Sequence, residues 1–221
     1  MLPDVIGSSS LRPEFREELG ISHFKMGRSC RLLIVTGENA GGKSFIRRVF
    51  QAFLADRRPP IVSYTFCMEA RSRSAEDANL LLGMAYGPEA RYATSVNTMR
   101  AIRSILDTSE KASNDRRHVI ILDEPEIGLS EESELAIGKM VAERLSGDWP
   151  HKRAGVVVMT HSRHVVRALM GIDGAKFLNL FDRYGSAEEW LEREVVPTDL
   201  DVLDVESQER FRRLTRMLRS D

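Results

Sequence analysis

Gly37 and the run Gly42-Lys43-Ser44 are spaced as Gly-x-x-x-x-Gly-Lys-Ser within the stretch VTGENAGGKS, Val35 to Ser44. Glycines so placed let the backbone wrap around phosphate oxygens with its N–H groups inward, and a helix starting at Lys43 would aim its positive end at the same anion. Lys43 would reach the outer phosphates as a point charge, and the Ser44 hydroxyl is a candidate ligand for Mg2+. The cradle would comprise Gly37, Glu38, Asn39, Ala40, Gly41, Gly42, Lys43, Ser44 and Phe45. A chance glycine turn is the alternative, and the coincidence of strand, spacing and helix argues against it.

Paired acids end the run HVIILDEPEIGLS, His118 to Ser130. If its apolar part is a parallel strand, its carboxyl end lines the ligand crevice and Asp123 is the expected metal partner, directly or through water. Glu124 would then face the region beyond the γ-phosphate, where a carboxylate can orient an attacking water and accept its proton. Hydrolysis is favoured over transfer to an organic acceptor. Alone, such acids are commonly solvated turn residues; the phosphate loop gives them their meaning. In VVVMTHSRH, His161 follows another apolar run and could donate a hydrogen bond to the γ-phosphate, or simply begin a helix. His164 has no cysteine or carboxylate cluster to make a metal pair with His161, and reads as surface or packing.

Strands are expected at Leu32 to Thr36, Ile61 to Phe66, Val119 to Leu122, Val156 to Thr160 and Lys176 to Leu180, where short β-branched runs alternate with helical patterns. Lys43 to Asp56 places Phe45, Ile46, Val49, Phe50, Phe53 and Leu54 on one helical face. Ser130 to Ser146 opens with a serine and two acids suited to a helix start, with Leu135, Met140, Val141 and Leu145 toward a core. Ser162 caps a further helix that Gly171 ends. Strands alternating with helices imply a doubly wound, mostly parallel α/β sheet.

The chain has 221 residues, 42% hydrophobic and 29% charged, which suits a single domain over 1–221. Its nucleotide-binding core should cover 31–66 and 115–181, with 67–114 an inserted helical lobe and 195–221 a C-terminal helical tail. The first twenty or so residues read as peripheral. A net charge of −1 gives no global pull toward nucleic acid or membrane. Cys30 and Cys67, far apart and without metal-ligand spacing, suit a reducing compartment. With no signal peptide and no span-length apolar run, the expected location is cytoplasmic, without membrane attachment. The segment ERFRRLTRMLRS sets Phe211, Leu214, Met217 and Leu218 on one face, as a docked helix would.

At these motifs, over roughly Arg31 to Leu180, the sequence resembles the ABC-type ATPases, and within them the soluble branch of the SMC, RecF and overcoming-lysogenization-defect families. GENAGGKS is similar to that branch's Walker A, IILDEPEIGL to its Walker B with Glu124, and THS to its switch histidine at His161. The resemblance implies a P-loop NTPase with an ABC-like sheet and a reduced helical lobe, taking ATP and Mg2+. It further implies an ATP-dependent, head-to-tail homodimer whose hydrolysis regulates a partner, such as a nuclease effector or DNA, in repair or in defence against mobile elements.

Departures from that pattern are specific. In place of a Leu-Ser-Gly-Gly-Gln signature stands TSVNTMRAIRSIL, where Ser95 is either a phosphate ligand in trans or a helix cap. Glu69 is the nearest stand-in for the Q-loop glutamine, and Ser130 falls where a D-loop aspartate is expected. No transporter-type signature and no chromosome-type heptads are visible, leaving a compact, stand-alone ATPase head. The alternative is a nucleotide-gated binding module with negligible hydrolysis. A small-molecule kinase would leave Glu124 and His161 without roles. Direct DNA contact would fall to Arg210, Arg212, Arg213, Arg216 and Arg219 of the tail and to Arg71 and Arg73.

Overall fold

The computed structural model describes residues 2, 13–20, 24–27, 29–37, 42–67, 94–111, 116–180, 185–197 and 199–219. In chain order these form α1 (Pro13–Glu18), β1 (Leu32–Thr36), α2 (Lys43–Asp56), β2 (Val62–Phe66), α3 (Thr94–Lys111), β3 (His118–Asp123), α4 (Glu131–Ser146), β4 (Arg153–Met159), α5 (Arg163–Leu169), β5 (Ala175–Asn179), α6 (Ala187–Glu192) and α7 (Leu200–Arg219).

The strands make one sheet in the order β2-β3-β4-β1-β5, and every neighbouring pair is parallel. β1, β3 and β4 are buried along their whole length, because a parallel sheet covered on both faces has no solvent side. Alternate residues feed two cores. Leu33 and Val35 of β1 and Val119 and Ile121 of β3 pack with Ile46, Phe50 and Leu54 of α2. Leu32, Ile34, Ile120 and Leu122 pack on the opposite face with residues of α3, α4, α5 and α6. Helices cover both faces, so the sheet is doubly wound.

The described part of the region expected as an inserted lobe lies on the sheet: Ile102 and Leu106 of α3 share a cluster with Ile120 and Leu122. Arg71, Arg73, Glu69 and the rest of 68–93 lie outside the described residues. Leu135, expected inside, is 37% exposed, and Ile137 is buried in its stead. The cause is the face that α4 turns to α5: Ile137, Val141 and Leu145, four residues apart along one stripe, are its buried positions together with the adjacent Gly138. The N-terminal segment is less peripheral than expected, since Leu2 and Leu19 are fully buried in the α2-side core. Phe211 of α7 is 70% exposed rather than docked.

Candidate functional site

Three adjacent strands end together. β4 lies between β3 and β1, so Asp123 at the end of β3 pairs in register with Met159, while Val35 near the end of β1 also pairs with Met159. The chain continues from these ends in the same plane: the Glu124 N–H donates to the Met159 carbonyl at 2.8 Å and the Thr160 N–H to that of Val35 at 3.0 Å. Glu124, Thr160 and His161 therefore stand beside the carboxyl end of β1.

Gly42, just before α2, has a φ of 83°, which is left-handed and open to glycine at little cost. Gly42 is also the cap of α2 and supplies no side-chain cap hydrogen bond, leaving the first-turn N–H groups for the loop side. Lys43 is buried, with its Nζ 3.4 Å from the Gly37 carbonyl and 4.0 Å from Glu124 Oε1. Burial pulls its pKa below the ordinary lysine value, partly offset by Glu124, Asp123 and Glu126. Ser44, one residue on, is exposed. Phe45 is half-buried against the α2-side core. Glu38, Asn39, Ala40 and Gly41 lie outside the described residues.

Glu124 has φ of 50°, and is the one non-glycine residue with positive φ among those described. Such a conformation costs free energy and persists where neighbours fix it. Here His161 Nε2 lies 3.1 Å from Glu124 Oε1. The histidine contact, together with Lys43, holds the Glu124 carboxyl below the usual glutamate range despite partial burial. The site is ordered one layer further out: Glu126 Oε1 accepts the His161 backbone N–H at 2.7 Å. Burial raises the Glu126 pKa.

Asp123 is held by Arg47, whose Nε lies 3.0 Å from its Oδ2 with both side chains at most 10% exposed. Ser44 and Asp123 offer the hard oxygen donors that suit Mg2+, one on an open helix turn and one at a strand end. Their chemistry fits, with Arg47 as a rival for the carboxylate. Ser95 is half-buried in the first turn of α3, which begins one residue earlier at Thr94, so it lies inside the helix and not at the cap position.

The structure thus brings Gly37, Gly42, Lys43, Asp123, Glu124 and His161 to one end of the sheet. It adds Arg47, Glu126 and Asn179, which the sequence did not single out. Asn179 ends β5 and donates to Thr36 Oγ1 at 3.0 Å, tying the strand before the loop to its neighbour. A charged residue within the buried stripe of α2 was the one available signal for Arg47.

A glycine loop between the first strand and its helix, beside paired acids ending another parallel strand, defines an α/β fold of the P-loop NTPase type. No family model matches the chain, and no curated protein matches it. Among solved structures, a chain in that of Drosophila ORC bound to AT-rich DNA and Cdc6 is similar over 80% of this chain, with 10% identity and a TM-score of 0.34. This chain spans 29% of that one. Among the described residues no helix is long and apolar enough to cross a membrane.

Proposed function

We propose that this protein binds Mg·ATP in the Gly37–Ser44 loop and hydrolyses it. The observation that carries the reading is the placement of the Glu124 carboxylate, 3.1 Å from His161 and 4.0 Å from Lys43, at the strand ends that flank the loop. In this reading the loop N–H groups and Lys43 hold the phosphates, and Glu124 orients a water whose oxygen attacks the γ-phosphorus. The bond to the β–γ bridging oxygen breaks, ADP leaves, and the water's proton passes to Glu124. His161 keeps Glu124 ionised and aimed. Ser44 and Asp123 would hold Mg2+, which supplies charge neutralisation on the phosphate oxygens.

The resemblance to ABC-type ATPases extends the proposal to an ATP-dependent head-to-tail homodimer, in which Ser95 of one copy faces the γ-phosphate of the other. Hydrolysis would reset the pair and license a protein effector such as a nuclease, or DNA. A second reading, a nucleotide-gated binding module with negligible hydrolysis, is favoured by the Arg47 contact that occupies Asp123.

Phosphate release by purified wild type, Glu124→Gln and Lys43→Ala separates the readings. The expected result is turnover by wild type, a loss of about 10²–10⁴-fold in Glu124→Gln with ATP still bound, and neither binding nor turnover in Lys43→Ala. Wild-type turnover no higher than that of Lys43→Ala would establish the module instead. Molar mass by light scattering of Glu124→Gln tests the dimer: doubling with Mg·ATP but not Mg·ADP is expected.

A further inference from the structure

Arg47 sits where the α2 pattern calls for an apolar side chain. The buried positions of this helix are Lys43, Ile46, Arg47, Phe50 and Leu54, a single stripe against the sheet. A guanidinium in such a stripe needs a partner, and Asp123 supplies one at 3.0 Å from Arg47 Nε to Asp123 Oδ2.

Two cations on one helical turn, Lys43 and Arg47, thus face the two consecutive carboxylates Asp123 and Glu124. Their formal charges cancel before any metal is present. A dication at Asp123 would sit within a few ångströms of a fixed positive charge. It would also have to share the carboxylate with a guanidinium already in ion-pair contact with it.

We infer that Arg47 is a resident counterion that competes with Mg2+ for Asp123, making nucleotide binding at this site nearly independent of metal. The inference rests on the nucleotide site proposed above and names how that site is regulated. Arg47 is a positioning residue: it acts through Asp123, with no contact to the phosphates required. Thermodynamic linkage gives the readout, because the factor by which Mg2+ tightens ATP equals the factor by which ATP tightens Mg2+.

The experiment is equilibrium binding of ATP to the full chain in excess EDTA and in excess Mg2+, for wild type, Arg47→Gln and Arg47→Lys. For wild type the two dissociation constants are expected to agree within about threefold. Arg47→Gln removes the guanidinium charge beside Asp123, and its ratio of EDTA to Mg2+ dissociation constants is expected to rise by about tenfold or more, which is about 1.4 kcal/mol of coupling. Arg47→Lys keeps the charge and should stay near wild type.

A merely structural anchor between α2 and β3 would lower both affinities of Arg47→Gln together and leave the ratio unchanged; that result overturns the inference. Should Arg47→Gln fail to melt cooperatively, the wild-type ratio decides alone: a gain above about tenfold on adding Mg2+ means that Asp123 is already open to the cation. ATP binding in neither buffer would overturn the nucleotide site itself, and the inference with it.

Discussion

Replacing Gly138 by alanine sets two effects of opposite sign against each other, and the structure decides which wins. Gly138 lies inside α4, where alanine is worth about 1 kcal/mol over glycine in helix propensity. An added Cβ would sit 3.1 Å from Val165 Cα, 3.2 Å from Ala168 Cβ and 3.3 Å from the His164 carbonyl oxygen. Two of these atoms are α5 backbone, which no rotamer change can move aside, so α5 must shift bodily. Overpacking of this kind costs about 1–3 kcal/mol. The net expectation is a loss of about 1 kcal/mol, or roughly 2–4 °C in melting temperature for a chain of this size. Gly147→Ala provides the contrast, since its φ is −77° and a Cβ there meets nothing within 4 Å. That substitution should stabilise by about 0.4–1 kcal/mol. Urea unfolding of both variants measures the difference, expected near 1.5–2 kcal/mol on these two figures. A Gly138→Ala protein as stable as Gly147→Ala would mean that α4 and α5 do not pack this closely. Because α5 follows directly on His161, Gly138→Ala is also expected to lower the phosphate-release rate, whereas Gly147→Ala should not.

Two further substitutions test the support behind His161. Ser162 caps α5 by accepting the Val165 N–H at 3.2 Å, and donates to Glu134 Oε2 at 2.7 Å; Ser162→Ala should cost about 1–2 kcal/mol in denaturant unfolding. Glu126 has its pKa raised chiefly by burial, so the folded state is penalised at pH above its folded pKa and the penalty vanishes as pH falls below the unfolded value. Glu126→Gln keeps an oxygen for the His161 N–H, and should be more stable than wild type near pH 8 by a margin that shrinks toward about pH 4. A margin constant across that range, read from urea midpoints, would contradict the assignment.

The strands were legible because a parallel strand buried on both faces reads as an unbroken β-branched run, and the site followed because its residues sit where those runs stop. Lys43, Asp123, Glu124 and His161 each lie within two residues of a strand or helix end. The start of β4 was misplaced by three residues: the strand opens at Arg153, a charge that sequence patterning assigns to a loop. Arg153 is buried because its Nε donates to Ser109 Oγ at 2.9 Å and its guanidinium lies over the Trp149 ring at 5.2 Å. Arg47 and Glu126 were missed for the same reason. A buried charge is accounted for by a partner distant in sequence, and no local pattern names that partner. Ser44, assigned from its motif, is exposed, whereas Lys43, Arg47 and Asp123 are buried; the motif specified the donor but not how its neighbours are neutralised.

The same neutralisation predicts that the variant which stops hydrolysis should also hold ATP more tightly. Lys43 Nζ, 4.0 Å from Glu124 Oε1 and 3.4 Å from the Gly37 carbonyl, has partners that a triphosphate must displace or share. Glu124 in turn places a negative charge beside the proposed γ-phosphate position, held ionised by His161. Glu124→Gln removes one competitor for Lys43 and one repulsion, while the amide retains an oxygen for His161. A unit charge at 4 Å is worth about 4 kcal/mol at an effective dielectric of 20 and about 1 kcal/mol in water. With Glu124 28% exposed, the lower figure is the fitting one, so ATP should bind about fivefold more tightly. Nucleotide titration in EDTA isolates this term, since neither Mg2+ nor turnover then contributes. Unchanged or weaker binding by Glu124→Gln would show that Lys43 is not restrained by Glu124, and that the carboxylate faces away from the phosphate.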